Sequence, residues 1–320
     1  MSIITHSEPD SVSSAALFIP LVSGKLRPNK LWNSQQFRLK FALRSAVFPL
    51  TTFNYLHQLA KLSFLPQLLS SQGLLPAKPH RPYLRAGFSV AQRAQAILDH
   101  YQLMDKLANN QLRQLLLSPT GNLLARFDGK NEEQFAIYCC SGHYDREGEI
   151  TLLLNYQDMT LASLSFSIIQ EQQQRTLLIG GLQGPRKHIS SDVIRDATKA
   201  AHGVFPKRLL MEAVFILAAQ CGVQAITAVG DTTHVFRSLR YRHSKGDKFF
   251  ASYSEFWLSL GGEMRGDELF TLPLSMARKD LEEIASKKRA EYRRRYALLD
   301  TLAQQVLQAA GAERDVAHAA

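Results

Sequence analysis

The chain has 320 residues, 45% of them hydrophobic, and 38 Lys and Arg outweigh 28 Asp and Glu for a net charge of +10. The apolar fraction is enough to bury a core, which sets aside disorder as the default, and the positive charge favours anionic partners: nucleic acid, anionic lipid or a phosphorylated ligand. Three cysteines, Cys139, Cys140 and Cys221, offer neither a disulfide framework nor a metal-ligand spacing, so buried thiols in a reducing compartment and no metal are expected.

Residues 1–24 open on an acidic, Ser-rich stretch without a sustained period. They predict a flexible lead-in and lack the basic region and apolar run of a signal peptide. Residues 25–118 predict a helical N-terminal region. Within it Phe37, Phe41 and Phe48 fall near one helical face, with Arg38, Lys40 and Arg44 interleaved. That pattern fits an amphipathic helix on an anionic membrane surface, or a helix whose aromatic side covers a core. Residues 72–88, with Pro76, Pro79 and Pro82, read as an extended linker. Ser89 then caps a helical stretch, marked by Ile97, Tyr101, Met104 and Leu107, that ends at a turn over residues 118–122.

From Leu123 the period changes to two, and five short runs separated by polar turns predict an antiparallel meander. Leu164, Phe166 and Ile168 alternate with Ser163, Ser165 and Ser167, which suggests one dry face and one wet. Two helices follow, the first from a Ser/Asp cap to Gly203 and the second from Pro206 to Gly222. The run from Ala225 to Gly230 reads as a strand inside the sheet. Residues 119–265 therefore form a mixed α/β core domain, and residues 266–320 a helical region with basic residues from Lys287 to Arg295. No run approaches the roughly 18–20 apolar residues of a transmembrane helix.

Two constellations carry candidate chemistry. Gly180, Gly181 and Gly184 end a strand and are followed by Arg186, Lys187 and a helix. Such a loop can cradle a phosphate at a helix N-terminus, or simply let backbone approach closely. The spacing is neither that of a P-loop nor that of a dinucleotide fingerprint. After the strand at Ala225, His234, Arg237, Arg240 and Arg242 form a cationic cluster, with Lys207 upstream. His234 can act as acid or base, or hold a structural hydrogen bond. No nucleophile elbow or zinc-protease helix is present. The basic residues are spread over the chain without a nucleic-acid-binding module, so nucleic acid is not an expected partner.

The segments IGGLQGP (179–185), IRDATKAAHGVFPKRLLMEAV (194–214), AVGDTTHV (228–235) and FWLSLGG (256–262), in that order, resemble the VirK/YbjX family. The resemblance implies a Gram-negative bacterial protein tied to virulence, envelope stress and resistance to cationic antimicrobial peptides, with no established reaction. Where the family pattern places an acidic residue in a Tyr-Asp-x-Phe-Trp run, this chain has Tyr253, Ser254, Glu255, Phe256 and Trp257, so any role of that carboxylate passes to Glu255. The order of strands, glycine loop and helices is also similar to the acyl-CoA N-acyltransferase fold, an analogy of architecture alone. It implies that Gly181, Gln183, Gly184, Arg186 and Lys187 hold the pyrophosphate of coenzyme A and that His234 or Tyr241 is the general acid; apart from that analogy, the cationic cluster marks Lys207, Arg237, Arg240 and Arg242 as candidate anion-binding residues.

The expected architecture is α+β: a helical N-terminal region, then an acyltransferase-like mixed sheet with flanking helices and a C-terminal helix. The expected protein is cytoplasmic or peripheral to the inner membrane, and it requires no cofactor. An acyl-CoA or other acyl thioester is the donor if it is an acyltransferase. Anionic lipid, a phosphorylated ligand or envelope proteins are its partners if it is a non-catalytic surface factor.

Overall fold

The computed structural model describes residues 14–238 and 253–312, and the chain divides into two compact units. The first comprises residues 1–81 and 90–98. It contains α1 (Ser14–Ser23), a 3-10 turn (Lys30–Asn33), α2 (Gln35–Val47), α3 (Pro49–Ala60), α4 (Leu65–Ser71) and a second 3-10 turn (Leu75–His80). The Ser34 side chain accepts from the Phe37 amide and so caps α2, and Pro49 starts α3 where its missing N–H leaves no orphan.

The core of this unit forms around Trp32, which is met edge-on by Phe37 at 4.9 Å and Phe41 at 5.2 Å between ring centroids. Its indole Nε1 donates to the Gly73 carbonyl at 2.6 Å, and a Cβ on Gly73 would lie 2.5 Å from the Pro28 carbonyl oxygen. Phe37 and Phe41 therefore pack inward, while Phe48, expected on the same face, caps the end of α2 and is 42% exposed. Arg38, from the same helix, donates to the carbonyls of Val22, Trp32 and Asn33 and is a structural cation. Two expectations change. Residues 14–23 are helical because Leu17 and Leu21 have a core to enter. Residues 75–80, expected in an extended linker, form a buried 3-10 turn: Leu75, Ala77 and the rings of Pro76 and Pro79 are apolar, and proline suits the tight first turn.

The second unit comprises residues 82–89 and 99–320. The helical stretch expected over residues 89–117 is two helices, α5 (Val90–Lys106), which begins in the first unit, and α6 (Asn110–Leu117). The chain breaks where Asn109 turns its side chain to accept from the Leu112 amide. There follow β1 (Asn122–Asp128), β2 (Gln134–Ser141), β3 (Ile150–Tyr156), β4 (Met159–Glu171) and β5 (Gln174–Gln183), each antiparallel to the last. The helices α7 (Ser191–Ala200) and α8 (Pro206–Gln220) cross over to β6 (Ala225–Val229), which pairs parallel with β5. After a 3-10 turn (Val235–Arg237) come α9 (Tyr253–Ser259), β7 (Glu263–Met264), β8 (Leu269–Leu272) and α10 (Ser286–Ala309). The sheet order is β1-β2-β3-β4-β5-β6-β8-β7, so β6 is interior, as its apolar composition predicts. The meander, the crossover and the closing helix all match the α+β expectation.

Ile150, Leu152 and Leu154 pair with Phe166, Leu164 and Ala162 to make one apolar face, and α8 packs on β3 and β4. The serine face is not wet. Ser163, Ser165 and Ser167 are all buried. Ser165 meets Thr151 at 2.8 Å, while Ser167 meets the Tyr83 hydroxyl at 2.8 Å and accepts from the Glu149 amide. The segment 142–149 between β2 and β3 thus reaches polar strand residues, with Ser167 and Gln183 hydrogen-bonded to Glu149 and Glu147.

Candidate functional site

At the centre of this buried polar region stands Glu147. Its Oε1 accepts from Gln183 Nε2 at 2.6 Å and faces His234 Nε2 at 3.4 Å, and the His234 and Glu147 side chains are 0% and 3% exposed. His234 Nδ1 accepts from the Phe236 amide, which fixes the orientation of the ring and leaves Nε2 on the side of the carboxylate. The Tyr253 ring lies tilted beside His234, 5.5 Å between centroids, and its hydroxyl accepts from the Leu182 amide. Burial, then the neighbouring Glu147 charge, pushes the Tyr253 phenol well above its ordinary range, so it stays protonated. Asp231 accepts from the Tyr253 amide and the Ser254 hydroxyl, both at 2.7 Å, and so fixes the start of α9. Two residues from Glu147, the fully buried Glu149 accepts from Tyr101 at 2.6 Å.

The glycines on β5 make room for this arrangement. Ser165 pairs with Gly181 and Phe166 with Ile179, which leaves Gly180 as the extra residue of a β-bulge. A Cβ on Gly180 would lie 2.1 Å from the Glu147 carbonyl oxygen, and one on Gly181 would lie 2.1 Å from Glu147 Oε2. Gly181 is therefore a buried strand residue whose open side is filled by a carboxylate. Gly184, Arg186 and Lys187 lie beyond the strand and are exposed.

Of the residues singled out in the sequence, the fold gathers His234, Gln183 and Gly181 around Glu147. Arg237 is exposed and donates to the Asp231 carbonyl. Glu255 is exposed on α9, and Lys207, in the first turn of α8, lies over the Phe256 ring at 5.7 Å. Arg240, Tyr241 and Arg242 fall outside the described residues. Glu147 was missed because it sits in a polar inter-strand segment that reads as an ordinary turn, and Glu149 because it heads a strand-like run whose apolar residues carry the signal. The Glu147 carboxylate, the His234 imidazole and the Tyr253 phenol here bring the 142–149 segment together with β5 and the residues after β6. Among the described residues no group of His, Cys, Asp and Glu is arranged to hold a metal ion.

These features define a mixed α+β protein, an antiparallel-led eight-stranded sheet with a buried carboxylate–histidine pair, joined in one chain to a basic helical unit. The chain belongs to the VirK/YbjX family: residues 30–308 match the family described as a protein of unknown function, DUF535. It is 42% identical over 304 residues to the uncharacterized protein YbjX of Escherichia coli K12, covering 94% of this chain and 92% of that one. It is 32% identical over 225 residues to an uncharacterized protein of Haemophilus influenzae, covering 69% and 72%. A Mannheimia haemolytica protein named membrane protein LapB is 29% identical over 174 residues, covering 51% of this chain and 71% of that one. No solved structure matches the chain.

Proposed function

We propose that the protein works at an anionic membrane surface, which its first unit grips, in the envelope-related role that the family resemblance implies. The observation that carries this is an exposed apolar stripe on α2 and α3. Leu39, Leu43 and Val47 recur every four residues on one face of α2 and are 60%, 59% and 69% exposed, and Leu50 on α3 is 88% exposed. Phe37 and Phe41 of α2 are occupied by the core, so the leucine side is the one presented outward.

Charge points the same way. Residues 11–98 hold eleven Lys and Arg and no Asp or Glu, which leaves 27 basic against 28 acidic residues in the rest of the chain. Lys25, Lys30 and Lys40 are exposed. A helix pair of this kind lies in the interface with leucines among the acyl chains and cations on lipid phosphates, each near-surface cation contributing about 1 kcal/mol. Among the described residues no helix is long and apolar enough to cross a membrane. One relative bears the name of a membrane protein.

Flotation with phosphatidylglycerol and phosphatidylcholine vesicles tests the reading. The protein is expected to float with the anionic vesicles, less so as salt rises, and to stay behind when Leu43→Asp and Leu50→Asp are combined. No flotation, or flotation untouched by that pair, overturns it.

Acyl transfer is a second proposal, favoured by one feature: β5 and β6 are parallel neighbours, and open sheets bind ligands beyond the carboxyl ends of such strands. The phosphates of a thioester carrier would meet Gly184, Arg186 and Lys187 there, and not Gly181. Saturable stabilisation by coenzyme A that Arg186→Ala abolishes would support it, and none at high concentration would dismiss it.

A further inference from the structure

We infer that the cleft where α8, residues 276–279 and α10 meet is a binding site for a small phosphorylated ligand. The cleft measures about 170 Å³. Arg208 and Glu212 enter it from α8, Arg278 and Lys279 from the segment after β8, and Arg295 and Tyr296 from α10.

Each guanidinium is anchored on one side by the protein. Arg208 Nη2 donates to the Ser259 carbonyl at 2.9 Å. Arg278 meets Asp300 at 2.9 Å and lies over the Tyr296 ring at 5.3 Å. Arg295 donates through Nε to the His202 carbonyl at 2.8 Å and lies over Tyr292 at 4.3 Å, with Glu291 3.8 Å away. A guanidinium has five N–H donors, so these anchors leave donors on each for a ligand while holding the group in place. Gly203 serves this arrangement. Its φ is +80°, and a Cβ there would lie 2.6 Å from Arg295 Nη2, so a larger residue would displace the guanidinium.

The balance of charge favours an anion. Four cations line the cleft against one carboxylate, Glu212, while Asp300 pairs with Arg278 and Glu291 lies 3.8 Å from Arg295. Lys207 and Arg208 occupy the first turn of α8, where the helix dipole disfavours cations. A bound anion relieves that conflict. Burial raises Glu212 against the pull of Arg278 and Arg208, so in its protonated form it can donate to a phosphate or hydroxyl oxygen. Size sets the class of ligand, because drug-sized molecules fill roughly 300–1,000 Å³. This cleft takes a phosphate with a few carbons against Tyr296 and Leu299.

Titration calorimetry on the full chain with inorganic phosphate, glycerol 3-phosphate and a short-chain, monomeric phosphatidic acid tests the assignment. Saturable binding of glycerol 3-phosphate is expected, weakened about tenfold or more by Arg208→Gln and by Lys279→Gln. Arg113→Gln on α6 should leave it unchanged. Lys279 is exposed and its side chain anchors nothing in the cleft, so this variant reads the site even if Arg208→Gln unfolds. Binding of the phosphatidic acid alone, weakened by the same substitutions, would assign the phosphate to a lipid headgroup. No binding of any of the three, or binding that neither substitution changes, overturns the proposal.

Discussion

Gly180 and Gly181 are neighbours whose substitution should differ in cost. An alanine at 180 meets backbone, the Glu147 carbonyl oxygen, which cannot swing aside. An alanine at 181 meets the Glu147 side chain. Gly180→Ala should therefore destabilise by about 3 kcal/mol and Gly181→Ala by about 1–2 kcal/mol, and Glu147→Ala should relieve only the second. Urea unfolding of the single and double variants measures this, and equal relief at both positions would contradict the geometry. His80 supplies a pH dependence. Burial, then Arg44 and Arg93, lowers it from 6.5 to about 4, while its Nε2 sits 3.2 Å from Thr52 Oγ1. Between these values the unfolded chain binds the proton that the folded one refuses, so the contribution of His80 is complete above pH 6.5 and is lost as pH falls toward 4. His80→Gln should flatten the fall in unfolding midpoint between pH 7 and 4.5, and an unchanged slope would remove His80 from the account. The thiols are inert for a related reason. Burial pushes Cys221 up to about 12 and Cys139 higher still, so neither should react with a thiol reagent until the protein unfolds.

Among the elements, β1 is the edge of the sheet, and α10 covers its open backbone in a specific way. Gln305 Oε1 accepts from the Arg126 amide and its Nε2 donates to the Arg126 carbonyl, both at 2.6 Å, so one side chain imitates a neighbouring strand. Gln305→Ala should cost about 1 kcal/mol and speed hydrogen exchange at the Arg126 amide, and unchanged exchange would show that the pairing contributes nothing. The α8 helix was readable from its ends, with Pro206 at its first position and Gly222, at φ +63°, beyond its last turn. The break between α5 and α6 was harder to see because hydrophobic spacing continues through it, and only the Asn109 cap interrupts the helix. The two-residue β7 and four-residue β8 are too short to show a period and exist because β6 offers β8 an antiparallel partner.

Across the whole molecule the positive charge is unevenly compensated. Cations are spread along the chain, but the acids that would balance them are missing between Asp10 and Asp99. That gap was legible in the sequence. The outward apolar stripe beside it was not, because periodicity marks which residues share a helix face and cannot say which face meets the core. Phe37 and Phe41 took the core, and Leu39, Leu43 and Val47 were left outside. The same limit explains the serine strand: alternation separated its two faces correctly, and tertiary packing buried both. Composition, period and capping residues by themselves determined the α+β class, the antiparallel meander, the crossover helices, the interior strand and, through four ordered segments, the family. Only the tertiary structure decided that Glu147 stands against Gly181, Gln183 and His234, and that Arg208, Arg278 and Arg295 share one cleft. The physical reason is distance along the chain: Glu147 is far in sequence from the glycine strand and from His234, as Arg208 is from Arg278 and Arg295, and no local pattern encodes which of them the sheet order and helix packing bring together.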